Sequence, residues 1–289
     1  MSAAVRTGFV GLGAMGAHMA RHLHAHGLLV AVCNRTAPKA AALAQELGVV
    51  AGTPEDLART CEVIVTCVTA DADVLDLCRR IAAVATPGLV VVDMSTIAST
   101  SAIEAAGILR AAGGDFIDAP VSGGVEGARN GKLSVMAGGE STTLERVRPV
   151  LACVAARITH MGPVGAGQNT KAVNQVLVAG IAQAVTEGLA LGEALGLEAD
   201  KLLPTLLAGA AQSWFLEKRG ATMLRNEFGV GFKLALLHKD LVIVQQLARA
   251  AGTNRSVIDQ SLADFAELMR QGHGNDDISG LIRLKRRSE

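Results

Sequence analysis

The sequence predicts an α/β fold, a doubly wound parallel sheet followed by an all-helical C-terminal domain. Three observations carry this. Short apolar, β-rich runs alternate with amphipathic helical stretches through the first half of the chain. The glycine pattern Gly11-Leu12-Gly13-Ala14-Met15-Gly16 closes the first apolar run and opens the first helical one, the context of a Rossmann-type turn. After about Pro163 strand-like runs disappear and long segments of 3.6 period take over. Two domains follow, 1–163 and 164–289.

In order, Gly8–Gly11 is an apolar run that stops at the glycines, and Ala14–His26 carries apolar residues at helical spacing. Leu29–Cys33 reads as a strand and Pro38–Leu47 as a helix. Val63–Val68 and Leu89–Asp93 are continuously apolar, as parallel strands buried on both faces require. A helix near Asp71–Ala83 lies between them, and Pro87-Gly88 supplies the turn into the second. Ser99–Ala111 reads as helix and Asp115–Ile117 as the start of another strand. Beyond the boundary the helical segments are Gly167–Leu195, Leu202–Gly209, Leu234–Ala251 and Ser256–Arg270, the first forming the seam between domains.

Composition narrows the function. Half of the 289 residues are apolar, enough for two cores. Lys plus Arg and Asp plus Glu both total 27, so no basic field gathers nucleic acid or anionic membrane. Arg283, Lys285, Arg286 and Arg287 read as a solvated C-terminus. Five scattered cysteines without a C-x-x-C pair, and no secretory leader pattern, point to a reducing, cytoplasmic setting. The most apolar stretch, Ala172–Leu197, is interrupted by Asn174, Gln175, Gln183, Thr186, Glu187 and Glu193, and reads as a buried helix rather than a bilayer span. There is no tyrosine, which excludes a Tyr–Lys acid; any proton donor is Lys, His, Cys, Asp or Glu.

Within the glycine pattern, Gly11 permits the tight turn, Gly13 the close approach of a pyrophosphate, and Gly16 the packing of helix on strand. The N–H groups of the helix start then face the phosphates. The second strand ends in Cys33-Asn34-Arg35-Thr36, with no acid to accept bonds from a ribose 2′-OH and an arginine suited to a 2′-phosphate. This favours NADP over NAD. Val68-Thr69-Ala70 follows a strand, at the carboxyl edge where such sheets bind ligands. Ser122-Gly123-Gly124 is either a simple loop or a nest presenting a hydroxyl and backbone N–H groups to an anion. Lys171 and Asn174, three apart, share a face of the long helix, and Lys171 stands on its otherwise apolar start. His18, His22 and His26 lie four apart, but with no Cys or carboxylate ligand nearby they read as surface or packing residues, and no metal site is expected. His238 is of interest only for its neighbour Lys239. Asp240 is open between pairing with a cation and capping a helix; Trp214, Phe215 and Lys218 could line a pocket wall, though a buried aromatic in a helix is equally often plain core.

The glycine loop, Asp93-Met-Ser95-Thr96, Asp118-Ala-Pro-Val-Ser122-Gly123-Gly124, Gly165-Ala-Gly167-Gln-Asn-Thr-Lys171-Ala-Val-Asn174 and Lys239-Asp240-Leu241 together resemble the β-hydroxyacid dehydrogenase family over almost the whole chain. The resemblance implies an NADP-dependent oxidoreductase acting on a small carboxylate-bearing aldehyde or hydroxy acid. It implies Lys171 as the catalytic residue, Ser122, Gly123 and Gly124 as the substrate carboxylate site, and Asn174 as a residue that orients the substrate. Thr96 and Lys239 resemble positions that contact the cofactor near its nicotinamide. A homodimer or homotetramer built on the helical domain is implied in the same way. One departure is visible: Ile97-Ala-Ser-Thr100 stands where many members carry a proline, which affects a helix start. Imine reductases share the architecture but typically replace the catalytic lysine, which is present here. A non-catalytic NADP-binding assembly module would want nucleic-acid-binding regions that this sequence lacks.

Overall fold

In the computed structural model, which describes residues 5–229 and 231–286, the chain divides into two units, Met1–Lys171 and Ala172–Glu289. The first unit runs β1 (Thr7–Val10), α1 (Gly16–Ala25), β2 (Leu29–Cys33), α2 (Ala37–Leu47), β3 (Val50–Ala51), α3 (Pro54–Thr60), β4 (Val63–Thr66) and α4 (Asp71–Ala82). It continues with β5 (Val90–Asp93), α5 (Ser99–Ala111), β6 (Asp115–Asp118), β7 (Val121–Ser122), α6 (Gly124–Arg129), β8 (Leu133–Gly138), α7 (Ser141–Ala152) and β9 (Ala155–Gly162). Helix α8 (Ala166–Ala194) begins in this unit. The second unit holds the rest of α8, then α9 (Ala199–Leu207), α10 (Trp214–Leu224), α11 (Leu234–Ala250), α12 (Ser256–Arg270), a 3-10 turn at Ile278–Leu281 and α13 (Ile282–Lys285).

The sheet order is β3-β2-β1-β4-β5-β6-β8-β7, with β9 beside β8. The run β3-β2-β1-β4-β5-β6 is parallel throughout, and β8 joins β6 antiparallel. This is the doubly wound order, and its reversal between β1 and β4 opens a crevice at their carboxyl ends. Successive strand residues feed two separate cores. Phe9, Val32, Val65, Val92 and Ile117 pack with α1, α2 and α7, while Val10, Ala31, Ile64, Val91 and Phe116 pack with α3, α4 and α5. Both faces are therefore buried, which is why the strands read as unbroken apolar runs.

Two expected boundaries move for visible reasons. The strand expected to reach Val68 ends at Thr66, because the Val68 N–H leaves the ladder to donate to Ser95 Oγ at 2.9 Å. The helix expected from Ala14 starts at Gly16, after the turn that the glycines make. Helix α5 begins at Ser99 without a side-chain cap, and the Ala98 N–H donates to Asp71 Oδ1 at 2.8 Å. The expectation of a solvated basic tail is corrected. Arg283 pairs with Asp276 at 2.9 Å, Lys285 with Asp264 at 2.8 Å and Arg286 with Glu193 at 2.8 Å, while Arg287 lies outside the described residues.

The second unit's core joins α8 to α13 through residues such as Ala182, Leu189, Phe215, Leu237, Phe265 and Ile282. Helix α8 is long and apolar enough to cross a membrane by length and composition alone. Its polar interruptions are matched within the unit: Gln175 donates to Asp240 at 2.6 Å, and Gln183 to Asp264 at 3.0 Å. Phe215 is core, which closes one of the open readings; Trp214 is half exposed, with the Arg219 guanidinium 5.6 Å from its ring centroid.

Candidate active site

The glycine loop follows β1 at the switch point, and each glycine has its own structural reason. Gly11 adopts φ +98°, and a Cβ there would run into the Cys67 carbonyl that closes β4. A Cβ on Gly16 would meet the Gly11 carbonyl and the Phe9 ring, so that glycine lets α1 pack on β1. Gly13 differs: a Cβ there would meet nothing within 4 Å. No packing inside the chain demands glycine at 13, and the space in front of it is open. Among the described residues the N–H groups of Gly13, Ala14 and Met15 have no acceptor. Three unmatched donors at the start of a helix form a site for an anion.

Asn34 at the end of β2 holds this loop: its Oδ1 accepts the Leu12 N–H at 2.9 Å and its Nδ2 donates to the Thr36 carbonyl at 3.2 Å. Arg35 beside it projects into solvent, its side chain 86% exposed and 3.5 Å from Asp73. That contact is long and solvated, and worth little. The guanidinium is available to an incoming phosphate.

The neighbouring loops are tied together by buried polar bonds. Ser95 Oγ accepts from the Val68 N–H at 2.9 Å and donates to Asp93 Oδ1 at 2.6 Å, which also accepts from Thr66 Oγ1 at 2.7 Å. This links the end of β4 to the end of β5 and fixes Val68 next to the segment that carries Thr96. From α8, the Gln168 carboxamide donates to the Ser95 carbonyl at 2.9 Å and accepts the Ile97 N–H at 3.2 Å.

Asp118, at the end of β6, accepts the N–H groups of Gly165 at 2.8 Å and Gln168 at 2.9 Å, capping the start of α8 from a distant strand. Burial pushes its carboxyl up to about 6, against the pull of those two donors and with the help of nearby Asp93. Gly138 and Gly167 leave room for this carboxylate, since a Cβ on either would strike it. Lys171, one turn further along α8, is buried and donates from Nζ to the Val121 carbonyl at 2.8 Å. Its ammonium thus lies beside the peptide that leads into Ser122. Gly123 has φ +125° and Gly124 φ +59°, so the chain after Ser122 takes left-handed turns that glycine adopts without strain. The Gly123 N–H has no acceptor among the described residues.

In the first unit the structure therefore brings the glycine loop, Val68, Thr96, Ser122 and Lys171 to strand ends and the start of α8. In the second unit it joins the other two expected residues through intermediaries. Asn174 Nδ2 donates to Gln175 Oε1 at 2.9 Å, Gln175 donates to Asp240, and Asp240 pairs with Lys239 at 3.0 Å. Asp240 is thereby a buried partner of a cation rather than a helix cap. Burial holds the His238 imidazole below its ordinary value, so it is neutral at pH 7. His22 and His26 contact the backbone carbonyls of Arg129 and His22 at 2.9 and 2.8 Å. Sequence reasoning missed Gln168, Asp118 and Gln175 as organisers, although Asp118 and Gln168 stand inside quoted motifs. Their partners lie 47 to 73 residues away, which no local pattern displays.

Comparison with known proteins gives consistent matches. The model of the NAD binding domain of 6-phosphogluconate dehydrogenase matches residues 6–162, and that of the NAD-binding part of NADP-dependent 3-hydroxyisobutyrate dehydrogenase matches 165–285. An uncharacterized oxidoreductase of Shewanella frigidimarina is 37% identical over 97% of this chain and 98% of its own. The NAD-dependent L-serine dehydrogenase of Pseudomonas aeruginosa is 34% identical over 96% of each chain. The structure of Mycobacterium tuberculosis 3-hydroxyisobutyrate dehydrogenase with L-serine resembles this one with TM-score 0.90 and 31% identity, covering 98% of this chain and 100% of that one.

Proposed function

The chain belongs to the β-hydroxyacid dehydrogenase family, and from that premise we propose that it uses NADP(H) and Lys171 to interconvert a small β-hydroxy acid and its semialdehyde. It is an NAD(P)-dependent oxidoreductase acting on CH–OH groups. The observation that carries the finer reading is the buried Lys171 ammonium, held on the Val121 carbonyl next to Ser122 and the Gly123 N–H.

The residues present fit a dinucleotide. Gly13, Ala14 and Met15 would hold the pyrophosphate on their unmatched N–H groups, with Gly11, Leu12 and Gly16 shaping the turn. Arg35, with Asn34 and Thr36 setting its loop, would take a 2′-phosphate. Val68, Thr96 and Lys239 would contact the cofactor further along. When bound, the nicotinamide gives or takes the hydride. Ser122, Gly123 and Gly124 would receive the substrate carboxylate, and Asn174 would orient the substrate. Negative charge builds on the carbonyl oxygen during reduction, and Lys171 Nζ stabilises it and delivers its proton there. In oxidation the same nitrogen must first be neutral, so that direction favours alkaline pH.

A substrate from the class of short hydroxy acids is supported by the relatives named for L-serine and 3-hydroxyisobutyrate. The first unit serves as the cofactor domain and the second as the substrate and subunit-contact domain of a cytoplasmic homodimer or homotetramer. The exposed apolar residues Leu177, Ile181 and Leu191 along α8, with Leu195 just beyond its end, support the self-association. A panel of succinic, tartronic and methylmalonic semialdehydes, glyoxylate, 3-hydroxyisobutyrate and L-serine, assayed with both cofactors, tests the reading. Turnover of one or more with NADP(H) preferred is expected. Turnover only with NAD(H) would overturn the cofactor assignment, and turnover of none would overturn the substrate class.

A further inference from the structure

Thr96 and Lys171 stand on different elements, and the Gln168 side chain ties the Thr96 segment to the helix that carries Lys171. Gln168 lies one turn before Lys171 on α8 and is 3% exposed. Its carboxamide uses both of its ends on one short segment. Nε2 donates to the Ser95 carbonyl at 2.9 Å and Oε1 accepts the Ile97 N–H at 3.2 Å, so the backbone is gripped on both sides of Thr96. The Gln168 backbone is itself fixed, its N–H bound by Asp118 Oδ2 at 2.9 Å. Lys171 is anchored from the far side by the Val121 carbonyl at 2.8 Å. A rigid path thus runs from the Thr96 segment, through one amide, to the helical turn that carries the ammonium.

We propose that Gln168 is a positioning residue for the reaction, its carboxamide setting the place of the Thr96 segment relative to Lys171. The inference rests on the reading of Lys171 as acid and base and of Thr96 as a cofactor contact. A buried glutamine that served packing alone needs only its volume, and an apolar side chain of the same length supplies that. Here the amide meets one acceptor and one donor in the order that only a carboxamide, or a protonated carboxyl, can satisfy. A carboxylate at this place cannot donate to the Ser95 carbonyl. Displacement of a reacting group by about 1 Å costs on the order of a hundredfold in rate, so loss of this link should register in kcat.

The test compares Gln168→Met, Gln168→Glu and Lys171→Ala in the full chain, by steady-state kinetics against pH, NADPH binding and thermal melting. Gln168→Met keeps the length and removes both bonds; its kcat should fall at least about tenfold at every pH, with substrate KM changed less than kcat. Gln168→Glu can reproduce the amide only when protonated. The carboxylates of Asp118 and Asp93 nearby favour the protonated form, while the Lys171 ammonium on the same helix opposes it. Its kcat relative to the native enzyme should therefore be nearest normal at acidic pH and fall as pH rises, a change that a packing role would not produce. Gln168→Met with kcat within twofold of native, while Lys171→Ala is inactive, overturns the inference and leaves the role of Lys171 standing. Normal turnover by Lys171→Ala overturns that role, and the inference with it. If Gln168→Met does not fold, the pH profile of Gln168→Glu decides alone, and a ratio to native that does not vary with pH overturns the inference.

Discussion

Gly13→Ala separates ligand binding from folding, because the structure assigns that glycine no internal duty. A Cβ there meets nothing within 4 Å, and Gly13 is absent from the positive-φ glycines. The substitution should leave the apo protein unharmed or stabilise it by about 0.4–1 kcal/mol, through the lower entropy of the unfolded chain. That is a rise of roughly 1–4 °C in Tm for a chain of this size. The same methyl would stand beside the unmatched N–H groups of Gly13, Ala14 and Met15. A hydrogen bond to a charged group contributes about 1.5–3 kcal/mol, so pushing a phosphate off one donor should weaken NADPH at least about tenfold. Gly16→Ala is the control of opposite sign: its methyl strikes the Gly11 carbonyl and the Phe9 ring, and the apo protein should lose about 1–3 kcal/mol. Calorimetric titration with NADPH and thermal melting of the apo proteins provide the readouts. A Gly13→Ala variant that binds NADPH within twofold of native refutes the placement of the pyrophosphate on this loop. One that melts like Gly16→Ala refutes the open space.

Arg35→Ala should raise the KM for NADPH about tenfold or more while changing that for NADH little, with Tm unaltered because the side chain is 86% exposed. Equal effects on the two cofactors contradict the assignment of Arg35 to a 2′-phosphate. The folded Asp118 carboxyl is raised from 3.8 to about 6, so the native state holds this proton more tightly than the unfolded chain. Its contribution to stability is full below the unfolded value and is lost as pH rises through about 6, by roughly 3 kcal/mol at about 1.4 kcal/mol per unit. Urea unfolding of native protein and Asp118→Asn across that interval should show the slope only in the native protein; equal slopes refute it. Leu177→Lys with Leu191→Lys, at positions 61% and 59% exposed, should lower the sedimentation mass without lowering the Tm of the separated chain. An unchanged mass refutes α8 as the contact.

The parts of the fold that sequence displayed were those whose signal is local. The central parallel strands β1, β2, β4 and β5 are mostly apolar because both faces are buried, and Leu29–Cys33, Ser99–Ala111 and Ser256–Arg270 begin and end where their patterns do. The glycine loop was readable because its three roles are set by spacing alone. Helix α3 was missed although Thr53-Pro54-Glu55-Asp56 signals a helix start; the structure shows the reciprocal bonds of a capping box there. Strand β9 was missed for a better reason: its residues are mostly half or fully exposed, and it exists by pairing with β8 rather than by apolar content. The Asp118–Gln168–Ser95 arrangement and the Gln175–Asp240–Lys239 chain depend on residues brought together only by the completed folds of their units.

The assignment of Lys171 as the proton donor bears most directly on the whole account. Lys171→Ala, assayed for aldehyde reduction with NADPH and titrated with NADPH in parallel, should lose at least about a hundredfold in kcat while binding the cofactor within about twofold of the native enzyme. Turnover close to native would contradict the account.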